Sequence, residues 1–506
     1  MKTSTFCVVI LLFTGLSAFG QTKLTLHTDQ AKVVISKEIY GHFAEHLGHC
    51  IYGGIYVGED SPIPNIRGFR QDIIAALRDM NIPVLRWPGG CFADTYHWKD
   101  GIGPKHKRPS IVNVHWGGVT EDNSFGTHEF LDFCSLIETE PYICLNVGSG
   151  TVQEASEWVE YVTSSNKSPM TELRKQNGRE EPWNVKYWGI GNENWGCGGN
   201  MTPEFYSDLY KQFATYCHGN LYRIGGGPSE DDYNWMEVFM KKAAHMAQGV
   251  SLHNYTSLGG LSSNSSATKF AEKEWFASLR HTLRMEELIT RHSTIMDKYD
   301  PGKRVGLIVD EWGNWFSVEP GTNPGFLYQQ STLRDALVAG INLNIFNNHA
   351  ERVRMANIAQ TINVLQSVIL TKDEDMVLTP TYFVFKMFSP HQNAKLIPAN
   401  LETEKYEFEG RAIPAISASA SVKDGILSIT LCNLNPNKAE NIDISFTGQE
   451  YSSSSGQIIT AKNINDYNDF GQEEKVTIKS FEVKKPKNGN LSFELPSKSV
   501  VLIQLK

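Results

Sequence analysis

Two stretches decide the fold: residues 185–195 read VKYWGIGNENW, and residues 305–312 read VGLIVDEW. Each begins with a short, nearly continuous apolar run, which is typical of a parallel strand that is buried on both faces. Amphipathic helical spacing follows each run along the chain. The two stretches therefore predict strands of an α/β fold, and each strand ends in a glutamate, Glu193 or Glu311.

The same alternation of strand and helix extends from about residue 33 to residue 390. With the two runs above, the predicted strands number eight; the other six lie at 33–35, 83–87, 142–147, 222–226, 250–255 and 353–358. The predicted helices lie at 69–80, 130–137, 155–162, 205–216, 236–246, 275–296 and 327–341. Eight such units predict a (β/α)8 TIM barrel over residues 36–390. A doubly wound sheet also alternates, but no glycine-rich phosphate loop follows the first predicted strand.

The alternation of predicted strands and helices ends near residue 391. Short strand-like runs separated by turn residues predict a C-terminal antiparallel β-sandwich over residues 391–506. These runs lie at 396–397, 415–421, 426–432, 442–446, 475–481 and 500–505. We expect the N-terminal segment 21–35 to join this sandwich.

The first twenty residues differ from the rest. Lys2 precedes an unbroken apolar run from Phe6 to Phe13, and small residues at Ala18 and Gly20 fit a signal-peptidase site. We expect a signal peptide over residues 1–20, and hence a secreted or periplasmic protein with no membrane partner after cleavage. The alternative is an uncleaved anchor, although the run is short for a membrane-spanning helix.

Charge and cysteine usage argue against some classes of partner. The net charge of −9 argues against nucleic acid, which attracts basic surfaces. Of the eight cysteines, Cys7 lies in the predicted signal and the other seven are scattered singly, without CxxC pairs or Cys/His metal spacing. We therefore expect no metal or other cofactor, and mostly buried free thiols rather than a disulfide framework.

The two glutamates carry the chemical prediction. In a TIM barrel the carboxyl ends of the strands meet at one mouth, so Glu193 and Glu311 should lie close together. Glycoside cleavage needs such a pair, because one carboxyl group protonates the leaving oxygen while the other attacks the anomeric carbon or activates water. Asn192 can bond a sugar hydroxyl and marks Glu193 as the acid/base, while Trp195 and Trp312 offer flat surfaces for sugar rings. An ion-paired role would explain either glutamate alone equally well.

Other polar residues at strand ends allow two interpretations. His253 alone is as well explained by a structural histidine, and Arg86 alone by a salt bridge within the barrel. The sequence His42-x-x-Glu45-His46 matches an inverted zinc-peptidase pattern, which needs both histidines on one helical face. Glycines on both sides and a preceding β-rich run argue against that helix.

Five blocks taken together resemble the α-L-arabinofuranosidases of glycoside hydrolase family 51. They are GHFAEHLG (41–48), LRWPGGCFADTYHWKDGIGP (85–104), YWGIGNENWGCGG (187–199), HNY (253–255) and VDEWGNW (309–315). The resemblance runs from about residue 24 to the C-terminus. It implies a retaining double displacement with Glu193 as acid/base and Glu311 as nucleophile. It also implies exo action on arabinose-containing oligo- or polysaccharides such as arabinan or arabinoxylan, and a homo-oligomer, often a hexamer.

The resemblance also assigns binding residues. It implies that Glu45 and Asn192 hold furanose hydroxyls, that Arg86 lies near the nucleophile, that Tyr255 hydrogen-bonds it, and that His253 belongs to the same site.

Three further residues are assigned in the same way. Gln360 reaches the sugar from strand eight, and Trp98 lines the pocket. Cys91 departs from the pattern, because some members of the family carry Asn there and a thiol is a weak donor. The competing functions are another retaining glycosidase of the same clan, such as an endoglucanase or a xylosidase, and a carbohydrate-binding protein on an inactive barrel.

Overall fold

The computed structural model describes residues 22–258, 265–446 and 451–506; the predicted signal peptide lies outside them. Within these residues, eight parallel strands close into a barrel, which confirms the predicted fold class. We number the barrel strands one to eight in chain order. They are Gly41–Phe43, Val84–Trp87, Glu140–Leu145, Tyr187–Ile190, Tyr222–Gly225, Gly249–Thr256, Gly306–Asn314 and Val353–Ala359.

Helices follow every barrel strand and form the outer layer. They are Gln71–Met80, Thr127–Leu136, Val152–Thr163, Pro169–Gln176, Pro203–Tyr216, Tyr233–Ala243, Glu272–Thr282, Arg284–Tyr299, Leu333–Asn348 and Pro380–Phe388. Local sequence explains where several begin. The Thr202 side chain accepts the Phe205 N–H ahead of Pro203, and the Asp232 side chain accepts the Trp235 N–H.

The prediction of the first barrel strand at 33–35 is wrong. Val34 is 47% exposed and forms an isolated bridge with Lys395, outside the barrel. Strand one is Gly41–Phe43, which pairs with strands two and eight. It begins at a glycine because an added Cβ at Gly41 would lie 2.7 Å from the carbonyl oxygen of Ala356.

Two helix predictions also need correction. The predicted helix at 275–296 is two helices, Glu272–Thr282 and Arg284–Tyr299, and the one predicted at 327–341 lies at Leu333–Asn348. The helix Pro380–Phe388 was not predicted, because it is apolar almost all round and its 3.6-residue periodicity is weak.

Two larger sheets lie in the described residues of the C-terminal domain. The first contains, in order, Ala399–Glu402, Thr22–Leu26, Glu440–Phe446 and Asn490–Leu495. The second contains Lys395–Leu396, Ile416–Lys423, Ile426–Asn433, Ser499–Leu505, Ser454–Ile459 and Lys479–Ser480. Pairing is antiparallel except between Thr22–Leu26 and Glu440–Phe446, which is parallel. The N-terminal segment thus contributes a central strand of the first sheet.

The helix Leu333–Asn348 lies between the barrel and the second sheet and is buried along nearly its whole length. Asn344 accepts a hydrogen bond from Thr430 Oγ1 at 2.7 Å, and Asn347 donates to Ser419 Oγ at 3.1 Å. The amides of Asn344 and Asn347 therefore have partners across the interface, as burial of polar groups favours. The barrel and the sandwich share this helix as common core.

Short hairpins decorate the loops. They pair Asn65–Ile66 with Phe69–Arg70, Ile111–Val112 with Thr120–Glu121, Ile369–Lys372 with Asp375–Leu378, and Lys405–Phe408 with Arg411–Pro414. In the described part of the chain, no helix combines the length and apolar character needed to span a membrane.

Candidate active site

The two predicted glutamates meet at the mouth of the barrel. Glu311 lies within strand seven, and Glu193 follows strand four in a tight loop. Glu193 has a left-handed backbone with φ of 43°, and its carbonyl oxygen accepts N–H groups from Gly196 and Gly198. One carboxylate oxygen of each glutamate lies within 4.8 Å of the other and of a ring nitrogen of His253. The strand ends therefore bring the pair together as the sequence predicts.

Glu311 is held at both oxygens. Arg86 Nη1 donates to its Oε1 at 2.8 Å, and the Tyr255 hydroxyl donates to its Oε2 at 2.9 Å. Arg86 is almost fully buried and also donates to Asn192 Oδ1 at 2.5 Å, which fixes the plane of its guanidinium. Both contacts that the resemblance implies for Arg86 and Tyr255 are present, and they aim the Glu311 carboxylate into the mouth.

Glu193 lies in a different environment. Its Oε1 is 2.9 Å from His253 Nδ1, and its Oε2 faces the sulfur atoms of Cys197 and Cys91 at 3.5 and 3.9 Å. Burial raises the pKa of Glu193, the hydrogen bond from His253 lowers it, and the negative charge of Glu311 raises it, with a net upward shift. A carboxyl group with a raised pKa is suited to donate a proton.

His253 links the two carboxyl groups to a buried acid. Its Nε2 lies 3.2 Å from Asp310 Oδ1, and its Nδ1 lies 3.5 Å from Glu311 Oε2. Burial lowers the pKa of His253, but Glu311, Asp310 and Glu193 outweigh burial and raise it to about 10. Asp310 also accepts a hydrogen bond from Tyr142 at 2.7 Å, and its pKa is lowered because Arg86 and His253 outweigh its burial.

Glu45 lines the same cavity at the mouth of the barrel. Its Oε1 accepts from the Phe92 backbone N–H at 3.1 Å and from Trp116 Nε1 at 2.9 Å, and its Oε2 accepts from Gln360 Nε2 at 3.0 Å. Burial, and then the charge of Glu311, raise the pKa of Glu45 to about 7. An added Cβ at Gly90 would lie 2.9 Å from Glu45 Oε1, so the paired glycines make room for this carboxylate.

Cys91 forms a disulfide with Cys197, across a sequence separation of 106. The prediction of mostly free thiols holds for the other described cysteines, which are buried and unpaired: Cys50, Cys134, Cys144, Cys217 and Cys432. It is wrong for this pair, because the loops after strands two and four converge beside Glu193. The bond leaves neither sulfur a proton, so Cys91 donates no hydrogen bond.

Asp94 was not singled out in the sequence, yet it connects three loops. Its Oδ1 accepts N–H groups from Val147 at 2.9 Å and Gly148 at 2.7 Å, and its Oδ2 accepts the Asn192 N–H at 3.1 Å. Burial raises the pKa of Asp94 to about 7 although these N–H groups lower it. Asp94 lies in CFAD (91–94), within one of the five family blocks, and this position was the signal that could have pointed to it. Its hydrogen-bond partners lie in other loops, so its role does not follow from that block.

Two residues assigned to sugar binding do not line the cavity. Trp98 is 1% exposed; its Nε1 donates to the Glu154 carbonyl at 3.0 Å, and its ring stacks on Trp158. Asn192 is also buried, since Arg86 and the strand-four loop cover its side chain. The assignment of Trp98 is corrected, because Trp98 packs in the helix layer. Asn192 orients Arg86, and its contact with a furanose hydroxyl stays a prediction.

The prediction that Trp312 offers a flat surface to sugar rings is also wrong. It is fully buried against Phe346 and Phe385, because successive strand residues point to opposite sides of the barrel wall and Glu311 takes the inner side. Trp195, in contrast, faces the mouth as expected.

The cavity at the mouth has a volume of about 380 Å³ and gathers the remaining candidates except Arg86, which contacts Glu311 but does not line it. Carboxylates, aromatic rings and apolar groups share its wall. The residues used below are Glu45, Cys91, Trp116, Glu193, Trp195, Cys197, His253, Tyr255, Glu311, Trp315 and Gln360. Gln360 Oε1 is buried without a hydrogen-bond partner among the described residues. A buried acceptor of this kind in a cavity wall is suited to receive a hydrogen bond from a ligand hydroxyl.

The zinc-peptidase interpretation is wrong. His42 lies in strand one with neither ring nitrogen hydrogen-bonded among the described residues, and His46 Nε2 accepts from Trp87 Nε1 at 3.1 Å inside an aromatic cluster. The two histidines therefore share no helical face. Cys91, Glu193 and Cys197 lie close enough to hold a metal, but disulfide sulfurs are not the thiolates that zinc requires.

A closed (β/α)8 barrel with one carboxylate at strand four and another at strand seven, in one polar and aromatic cavity, defines a barrel glycoside hydrolase. Two family models match the chain: "Alpha-L-arabinofuranosidase 1 domain" over residues 76–266 and "Alpha-L-arabinofuranosidase C-terminal domain" over residues 310–499. An intracellular exo-α-L-arabinofuranosidase of Bacteroides ovatus is 51% identical over 498 residues, covering 97% of each chain. The chain belongs to the α-L-arabinofuranosidases of glycoside hydrolase family 51.

Solved structures agree. The family 51 arabinofuranosidase of Xanthomonas axonopodis pv. citri is 48% identical, with a TM-score of 0.95, covering 96% of this chain and all of that one. An α-L-arabinofuranosidase from Thermotoga maritima, solved as an arabinose complex, is 29% identical with a TM-score of 0.81, covering 96% and 99%. The prediction that the chain is a glycoside hydrolase enzyme is confirmed.

The predicted localisation is wrong. The Bacteroides ovatus relative, which matches this chain over nearly its whole length, is described as intracellular, and this contradicts a secreted or periplasmic protein. The prediction depended on residues 1–20, which lie outside the described residues.

Proposed function

We propose that the chain is an exo-acting, retaining α-L-arabinofuranosidase that releases terminal arabinofuranosyl residues from arabinan- or arabinoxylan-type glycans. The observation that carries the proposal is the separation of the two catalytic carboxylates. An oxygen of Glu193 and one of Glu311 lie within 4.8 Å. Retaining enzymes keep their carboxyl groups about 5 Å apart, whereas inverting enzymes need roughly 6.5 to 9.5 Å to admit a water.

The different surroundings of the two glutamates support their roles. Glu311 is fixed by Arg86 and Tyr255 with its carboxylate in the mouth, which suits attack on the anomeric carbon. Glu193 has the raised pKa of a proton donor, and the charge of Glu311 contributes to that shift. When Glu311 becomes bonded to the sugar its charge disappears, so the pKa of Glu193 falls. Glu193 can then act as the base that activates water.

The shape and polarity of the cavity support exo action on a small sugar. Glu45 uses three of about four acceptor positions on protein donors, which leaves room for a sugar hydroxyl. Beside Glu45, Gln360 offers its Oε1, which has no hydrogen-bond partner in the described part of the chain. Trp195 and Trp315 add flat surfaces at the mouth for the rest of the glycan. We assign the furanose to the part of the cavity beside Glu45, and the leaving group to the part lined by Trp195 and Trp315.

A substrate panel tests the proposal. We expect hydrolysis of 4-nitrophenyl α-L-arabinofuranoside, release of arabinose from arabinan or arabinoxylan oligomers, and no comparable activity on 4-nitrophenyl xyloside or cellulose. NMR of the first product should show the α-anomer. Activity confined to the xyloside or to cellulose would favour the other glycosidases of the clan, no turnover with measurable sugar binding would favour a binding protein, and an initial β-anomer would mean inversion.

We also propose a homo-oligomer, with a hexamer as the expected form. The support is the family to which the chain belongs. Light scattering coupled to size exclusion should give a mass six times that of the chain, and a monomer at micromolar concentration would contradict the proposal.

A further inference from the structure

We propose that the Cys91–Cys197 disulfide is a reversible redox site, opened by a dithiol reductant, that controls proton donation by Glu193. The inference rests on the proposed function, since it concerns the acid of that reaction. Oxidised enzyme is the more active form on substrates whose leaving group needs a proton, and reduced enzyme is the less active one.

The position of the disulfide is the first argument. Both sulfurs line the cavity, and both cysteines are half-buried, whereas the other five described cysteines are buried. A reductant that enters by the route of the substrate therefore reaches this bond. Accessible disulfides are the ones that exchange, while enclosed ones serve as permanent crosslinks.

The contact with Glu193 is the second argument. Its Oε1 faces His253, and its Oε2 faces the two sulfurs at 3.5 and 3.9 Å. In the disulfide these sulfurs have no hydrogen to donate, so Oε2 gains no stabilisation as a carboxylate from them. Two thiols in the same places can each donate to Oε2. Donation to the charged form lowers the pKa of a carboxyl group, so reduced enzyme holds a smaller protonated fraction of Glu193 at a given pH.

The exchange is balanced. One thiolate of the dithiol attacks a protein sulfur, the Cys91–Cys197 bond breaks, and a mixed disulfide forms. The second thiol of the reductant then attacks the mixed disulfide. This step frees the second protein thiol and releases the reductant as a cyclic disulfide. Two electrons pass to the protein, and the two protons of the dithiol end on Cys91 and Cys197. Re-oxidation by a disulfide of higher potential reverses each step.

Oxidised and reduced full-length enzyme should be compared on two substrates across pH. The first is 4-nitrophenyl arabinofuranoside, whose leaving group needs little protonation, and the second is an arabino-oligosaccharide, whose leaving alcohol needs it fully. We expect reduction to expose two further thiols and to move the basic limb of kcat/KM for the oligosaccharide about one unit to lower pH. Above that limb its kcat/KM falls about tenfold, since one unit corresponds to a factor of ten. The nitrophenyl substrate should change less than about twofold.

Three variants separate proton donation from tethering of the two loops. Cys91→Ser/Cys197→Ser retains two donors and should resemble reduced enzyme in either redox condition. Cys91→Ala/Cys197→Ala lacks both donors and the crosslink, and its basic limb should stay where oxidised enzyme has it. Cys217→Ala, at a buried free thiol, is the matched control and should keep the redox response.

Each remaining outcome overturns the inference. Failure of the reductant to release two thiols excludes a redox site. Equal losses on both substrates, shared by the double Ala variant, show a structural crosslink only. An unchanged profile in oxidised and reduced enzyme, both active on the furanoside, refutes this inference alone. Inactivity of both forms on every arabinofuranoside instead refutes the proposed function.

Discussion

Arg86 donates a hydrogen bond from its buried guanidinium to Glu311 Oε1 at 2.8 Å. This contact joins the end of strand two to the end of strand seven, across the interior of the barrel. Because Arg86 is held in turn by Asn192, the orientation of Glu311 depends on three strand ends at once. The carboxylate that we propose as nucleophile is therefore preorganised before any sugar enters.

Glu311→Ala should lower kcat on 4-nitrophenyl arabinofuranoside by about 10⁴-fold or more while leaving sugar binding measurable by calorimetry. The reason is that the variant lacks the carboxylate that we propose forms the covalent intermediate. Azide should restore turnover and give the glycosyl azide of inverted configuration. Glu287→Ala is the control, since Glu287 is 60% exposed and pairs with Arg291 on a surface helix. Full activity of the Glu311 variant would disprove the nucleophile assignment.

His253→Asn should move the basic limb of the kcat/KM profile to higher pH. Protonated His253 lowers the pKa of Glu193, so its removal raises that pKa further. In the role that we propose for Glu193 the protonated form is the active one, and that form then persists to higher pH. The measurement is kcat/KM against pH for wild type, the variant and His245→Asn, an exposed histidine outside the cavity. A shift of the limb to lower pH would contradict this account.

Asp94→Ala should reduce the free energy of unfolding by about 3 kcal/mol, because three backbone N–H groups, two of them buried, lose their carboxyl acceptor. Since one of them belongs to Asn192, kcat should fall as well. Chemical denaturation and furanoside kinetics measure the two effects. Asp122→Ala is the comparison, because exposed Asp122 accepts the Ser124 N–H at 2.8 Å within its own loop. An equal loss of stability there would contradict the role given to Asp94.

Trp98→Phe should lower the free energy of unfolding by about 1 to 3 kcal/mol and leave KM unchanged, because Trp98 is packed against Trp158 outside the cavity. Trp315→Ala should do the reverse and raise KM by up to about tenfold through lost stacking. Melting curves and KM for an arabino-oligosaccharide distinguish the two. A raised KM for Trp98→Phe would return that residue to the pocket.

Dialysis against EDTA should leave activity unchanged. Both ring nitrogens of His253 face carboxylates, and the sulfurs beside Glu193 are bonded to each other. These groups satisfy one another without an ion. Activity that is lost on chelation and restored by a divalent metal would contradict this prediction.

Sequence patterns predicted the barrel well, because buried parallel strands are continuous apolar runs and the two glutamates stand at the ends of two of them. Strand one was misplaced, since Gly41–Phe43 is only three residues long and is specified by close packing rather than by an apolar run. The direction of a side chain on an irregular loop is not encoded in spacing, so Trp98 was placed in the pocket. The Cys91–Cys197 bond joins loops 106 residues apart and depends on tertiary folding.

The strand Thr22–Leu26 lies between Ala399–Glu402 and Glu440–Phe446, so segments from both sides of the barrel enter one sheet. A cylinder of parallel strands has one seam that no direct βα crossover bridges, between its first and last strands. Here the chain leading into strand one and the chain leaving strand eight pair in the same sheet, and this pairing holds the two sides of the seam together. A barrel without the sandwich would lose this strand pairing and would expose the Leu333–Asn348 helix. We therefore expect the two domains to unfold together.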